Sequence, residues 1–179
     1  MRPVLLAACL LLSCGRPPAS SIPVPRTVDA IRVDGACSET SWRSAFRSPF
    51  FVDASGASAP LTELRATADD NFLYLEVYAA DIDIETKGDQ VQLEVGPLHL
   101  LLKPKEAVVP PGVKAVVDTD DTLDHPADHD EEWVSEIAIP RAMLDEKAIA
   151  VRALRTDVSR GKPAHALAWP RDGKALLHL

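Results

Sequence analysis

The densest run of chemically capable side chains lies between residues 118 and 132. There Asp118, Asp120, Asp121, Asp124, Asp128, Asp130, Glu131 and Glu132 interleave with His125 and His129. Carboxylates packed this closely suit Ca2+, a hard cation that takes about six to eight oxygen ligands. Asp118, Asp120, Asp121 and Asp124 are the expected donors, and the two histidines would suit a transition metal instead. No glycine occurs in the stretch, so it is not an EF-hand loop. Without an ion it reads as a solvated loop kept extended by like-charge repulsion.

Catalytic chemistry has no comparable signal. A glycoside hydrolase needs two carboxylates about 5 to 10 Å apart around a sugar. With 27 Asp and Glu in the chain, such pairs arise by chance and nothing marks one out. No nucleophile elbow or phosphate loop is present. None of His99, His125, His129, His165 and His178 is placed beside an evident nucleophile. The chain is therefore not expected to be an enzyme. Its net charge of −8 also argues against nucleic acid, whose phosphates demand a basic surface.

The start of the chain follows other rules. Arg2 precedes an unbroken apolar run from Val4 to Leu12, the build of an export signal and far shorter than the about twenty residues of a membrane-crossing helix. Leu11-Leu12-Ser13-Cys14 resembles the lipobox of bacterial lipoproteins. This makes Cys14 the expected lipidation site and residues 1–13 the signal peptide. Leu6-Ala7-Ala8-Cys9 fits the same pattern but leaves too few apolar residues before it. Gly15, rather than Asp, follows the anchor and implies delivery to the outer membrane. Residues 14–26, with Pro17, Pro18, Pro23 and Pro25 among Ser and Ala, read as a stiff tether. Cys37 then has no cysteine left to pair with.

Residues 27–179 are expected to be one domain. Their apolar residues recur with a period of two, which places alternate side chains on opposite faces of a strand. In Gln90–Val95, Val91, Leu93 and Val95 point one way and Gln90, Gln92 and Glu94 the other. Gly96-Pro97 breaks the run, and Leu98, Leu100 and Leu102 resume it, predicting a hairpin. Leu64, Ala66 and Ala68 alternate with Glu63, Arg65 and Thr67. Phe72 to Ala79 is nearly all apolar, as where both faces are covered. Trp133, Ser135, Ile137 and Ile139 share a face, and strands are also expected at Val113 to Val117 and Ile149 to Thr156. About eight to ten strands with short helices at Ser38 to Ala45 and Pro140 to Leu144 give an antiparallel, jelly-roll-like β-sandwich. Trp42 and Trp133 are expected in its core, and Trp169 either there or at the rim of a binding surface. Tyr74 and Tyr78, on one face, pack or form a sugar platform.

Several stretches, in order, resemble the landmarks of the family 9 carbohydrate-binding modules. They are Val33-Asp34-Gly35 with Glu39 and Trp42; Asp69-Asp70-Asn71-Phe72-Leu73-Tyr74-Leu75 with Asp81-Ile82-Asp83; Asp89-Gln90-Val91-Gln92-Leu93; Glu132-Trp133-Val134-Ser135-Glu136-Ile137-Ala138-Ile139-Pro140; and Ala168-Trp169-Pro170. The resemblance spans residues 29–179. It implies a non-catalytic domain that binds a polysaccharide or other glycan, with Asp89, Gln92, Trp169 and Arg171 as the expected ligand contacts. The sequence departs from that family where its sugar clamp lies. Glu85-Thr86-Lys87-Gly88 and Arg171-Asp172-Gly173-Lys174 stand where family members carry a tryptophan, and Gln92 stands for their glutamate. The alternative on the same fold is an envelope protein-interaction or assembly module. A further one is a haem-binding sandwich using Met143 or histidines as axial ligands.

Overall fold

A computed structural model describes residues 21–119, 123–125, 130–144 and 148–179. Two sheets face each other, as the two-residue rhythm requires. The larger runs in the order β1 (Ser21–Pro23), β12 (Ala175–His178), β10 (Ala148–Asp157), β5 (Gln90–Val95), β6 (Leu98–Lys103), β7 (Glu106–Val108), and β11 (His165–Trp169) pairs with the far half of β10. The smaller runs β2 (Phe46–Arg47), β3 (Thr62–Ala68), β4 (Phe72–Ala80), β9 (Glu132–Pro140), β8 (Lys114–Thr119). The ladders between these strands are antiparallel except β1 with β12, which is parallel. Among the described residues helix is limited to α1 (Thr40–Ser44) and one 3-10 turn, Arg141–Met143. The architecture is the expected β-sandwich. Among the described residues no helix is long and apolar enough to cross a membrane.

The core lies between the sheets, where inward phases of the alternation meet. Leu64, Leu73, Leu75, Val77, Trp133, Ile137 and Ile139 from the smaller sheet face Val91, Leu93, Leu102, Val151, Leu167 and Trp169 from the larger. Removing any one of the buried leucines or isoleucines would forfeit its transfer energy and leave a cavity, about 2 to 5 kcal/mol for truncation to Ala.

Two features differ from the expectation. Residues 21 to 26, read as the end of the tether, belong to the sandwich: β1 pairs with β12, Val24 is buried in the core and Arg26 bridges to Ala68. Of the prolines that suggested a linker, Pro23 ends this edge strand, where a missing N–H costs no ladder bond. The second difference is at β3, whose expected wet face is covered: Glu63 and Thr67 are buried. The opening segment crosses that face. Pro25 accepts a bond from Thr67 Oγ1 at 3.0 Å, and α1 packs on β3.

Candidate functional site

The outer face of the larger sheet carries two cross-strand rows fixed by register. Gln92 lies between Leu101 and Leu154, and Leu101 pairs onward with Val108. One step along, Glu94 lies between His99 and Arg152. These side chains line a groove of about 450 Å³. Lys174 Nζ sits 2.8 Å from Glu94 Oε2, and this bond holds the Glu94 carboxyl below its usual range. Arg152 Nε is buried without an acceptor. Gln92 is exposed, and its side chain makes no hydrogen bond among the described residues. A surface with an amide, a carboxylate, a guanidinium and an imidazole beside aliphatic side chains suits a small polyhydroxylated ligand: the polar groups exchange hydrogen bonds with hydroxyls, and the leucines cover C–H faces.

The residues singled out from sequence scatter. Gln92 is in the groove. Asp89, at the start of the same strand, is 1% exposed; its two oxygens accept the Val158 and Glu85 N–H groups at 2.7 and 2.6 Å. Burial, with the Asp81 charge nearby, raises its carboxyl to about 7. Trp169 is 6% exposed and lies inside the sandwich, its ring 5.9 Å from that of Phe46. Arg171 is exposed and donates to the Ala54 carbonyl at 2.7 Å, on the loop that follows β11. Cys14, Asp120 and Asp121 lie outside the described residues. Asp118 is exposed on β8. Asp124 accepts the N–H and hydroxyl of Thr86 at 2.9 and 2.6 Å, which lowers its pKa. Met143 packs against the core.

Trp42 and Trp133 are 3% and 0% exposed, and Trp42 has a structural task on the outer face of the smaller sheet. Its indole N–H donates to Glu136 Oε1 at 3.1 Å, while Glu136 Oε2 accepts the N–H groups of Asp34 and Gly35 at 2.9 and 3.0 Å. The motif residues Asp34, Gly35, Trp42 and Glu136 thus fasten the opening segment to β9. Tyr74 packs under this cluster and donates to Asp69 at 2.9 Å. Beside it is a second groove, of about 470 Å³, lined by Arg65, Glu76, Tyr78 and Glu132 among others. Its charged groups are engaged with one another, Arg65 with Glu63 and Glu76, and Tyr78 with Glu132.

Sequence reasoning missed Arg155 and Asp157. They continue the inward phase set by Ile149, Val151 and Ala153, and a charge in that phase was the available signal. The Asp81, Asp89 and Asp157 carboxylates offer oxygens within 4.8 Å of one another.

A two-sheet sandwich with a shallow polar groove on one outer face is the architectural class these features define. Among solved structures, the chain is similar to a family 9 carbohydrate-binding module from Caldicellulosiruptor kristjanssonii in complex with cellotriose. The two share 10% identity over 88% of this chain and 93% of that one, with a TM-score of 0.63. A family 9 module from the same organism, in complex with glucose, gives 11% identity over 89% and 95%, and a TM-score of 0.62. A carbohydrate-binding protein, described as putative, from Bacteroides uniformis gives 10% identity over 89% and 99%, and a TM-score of 0.57. No protein-family model and no curated protein matches the chain. The likeness extends over nearly the whole described domain and is one of fold.

Proposed function

We propose that this chain is a non-catalytic glycan-binding domain, held at the cell envelope, in the outer membrane, by a lipid on Cys14. The groove on the outer face of the larger sheet is the observation that carries the reading. Gln92 has hydrogen-bonding capacity unspent within the protein, and Arg152, Glu94 and His99 stand one register step away. The fold it shares with modules solved with cellotriose and glucose supports the same reading. Binding would rest on hydroxyl contacts more than on stacking, because no phenylalanine, tyrosine or tryptophan is among the described residues that line the groove. Few stacked rings and a shallow surface make for weak affinity per site.

The experiment is a titration of soluble gluco-, xylo- and other oligosaccharides by calorimetry, with retention on insoluble polysaccharides alongside. Gln92→Ala and Arg152→Ala are expected to weaken binding about tenfold each, the loss of one to two net hydrogen bonds. Binding unaffected by either variant would remove the groove from the proposal. A fatty-acid label that disappears in Cys14→Ala is the expected result for the anchor.

One observation favours a second reading. All three tryptophans are buried, so none of them is placed to form a sugar clamp on the surface. On that reading the same face recruits an envelope protein, and no glycan is retained at all.

A further inference from the structure

Hydroxyl groups alone do not account for the cation in the groove. Arg152 is half-buried in the groove wall. Its Nε is buried with no acceptor, and its guanidinium forms no hydrogen bond or ion pair among the described residues. Every other arginine among those residues has a carboxylate or carbonyl acceptor, except Arg43, which is exposed. A guanidinium that is partly withdrawn from water and left unmatched is destabilising, because its donors lose hydration without gaining a partner.

The strand register sharpens the anomaly. Glu94 lies directly opposite Arg152 and is the carboxylate that cross-strand pairing would give it. That carboxylate instead sits 2.8 Å from Lys174 Nζ, and Arg152 acts on it only at longer range. Glu94 is also the only acid among the described residues that line the groove. Lys174 therefore cancels the one negative charge, and Arg152 is left as surplus positive charge in a chain whose net charge is −8.

The neighbours of that charge say what kind of molecule it would meet. Leu154 stands two residues from Arg152 on the same face of β10, and Gln92 lies beside Leu154 with Leu101 beyond it. Two residues of strand span roughly 7 Å. A sugar ring lying against Leu154 and Leu101, with its hydroxyls at Gln92, would bring an acidic group on its far carbon to Arg152. The uncharged Gln92 amide offers hydrogen bonds without repelling an anion. Among anionic groups, a planar carboxylate matches the planar guanidinium fork and accepts two parallel N–H bonds from it.

We propose that the groove selects acidic glycans, with Arg152 binding the carboxylate of a hexuronate unit. This rests on the glycan-binding reading of the same groove and adds the class of glycan. Arg152 is the specificity-determining residue, and Gln92 serves acidic and neutral rings alike.

The test is calorimetry on the full-length protein in detergent. The probes are trisaccharides of glucuronate, galacturonate and mannuronate, each as the free acid and as its methyl ester, which keeps the ring and removes the charge. At least one acid is expected to bind about ten- to hundredfold more tightly than its ester, the range of a charge-assisted hydrogen-bonded pair. Arg152→Gln should weaken both forms but the acid further, bringing the ratio of the two affinities close to one. Arg152→Lys should keep part of the preference, and Glu94→Gln, which releases Lys174, should increase it. If Arg152→Gln fails to fold, the opposite shifts of the other two variants decide the matter, and a ratio unmoved by either overturns the proposal. Acid and ester bound equally by the wild type would also overturn it, as would a preference that survives Arg152→Gln. Neutral gluco- or xylo-oligosaccharides bound through Gln92 with no preference for acids would sink this inference and leave the glycan reading standing. No binding of any sugar would end both.

Discussion

Glu136 concentrates more structural work than any other single side chain on the smaller sheet. Its two oxygens satisfy three buried or half-buried donors, from Asp34, Gly35 and Trp42. Glu136→Ala would leave all three unmet, and the urea midpoint should report a loss of more than about 2 kcal/mol, with Glu136→Gln losing less. Its cross-strand neighbour Glu76 makes a different prediction. Glu76 is 3% exposed, and burial raises its carboxyl from 4.5 to about 7 against the pull of Arg65. The folded state therefore binds this proton more tightly than the unfolded chain. Its contribution is complete below about pH 4.5 and is lost as pH climbs through about 7, a difference on the order of 3 kcal/mol. Stability measured at pH 4.5, 6 and 8 should fall across that window in the wild type relative to Glu76→Gln. Equal slopes for the two proteins would contradict it.

At the scale of elements, strands with one wet face were legible and strands covered on both sides were not. The β5–β6 hairpin follows the predicted register, Val91 with Leu102 through Val95 with Leu98, because its polar phase faces solvent and its apolar phase the core. β3 misleads because its polar phase is buried under the opening segment, a long-range event invisible to local alternation. β1 hides behind Pro23, which an edge strand tolerates. Chain shortening separates strand from tether. A protein beginning at residue 20 should match one beginning at residue 14 in urea unfolding, whereas one beginning at residue 27 should lose more than about 2 kcal/mol with Ile22 and Val24 gone. The candidate site was half legible for the same reason: alternation places Gln92 on the outer face, but only the pairing of three strands reveals Arg152 and His99 beside it. Asp89 and Trp169 fall in the inward phase, where a motif resemblance carries their identity without their orientation.

For the whole molecule, the two chemically distinctive regions lie on different surfaces. The groove occupies the outer face of β5, β6 and β10, and the buried acids sit inside the tip where β10 ends at Asp157.

The parallel alignment of β1 with β12 bears on how the domain would answer a mechanical load. Ser21 lies opposite Leu176 and Pro23 opposite His178, so tension drawn backwards through Ser21 and forwards through His178 slides the two strands past each other. Bonds arranged this way stretch together instead of opening one after another like a zipper. Tension entering the domain at residue 21 and leaving it at residue 178 would therefore meet the N-terminal strand locked in shear.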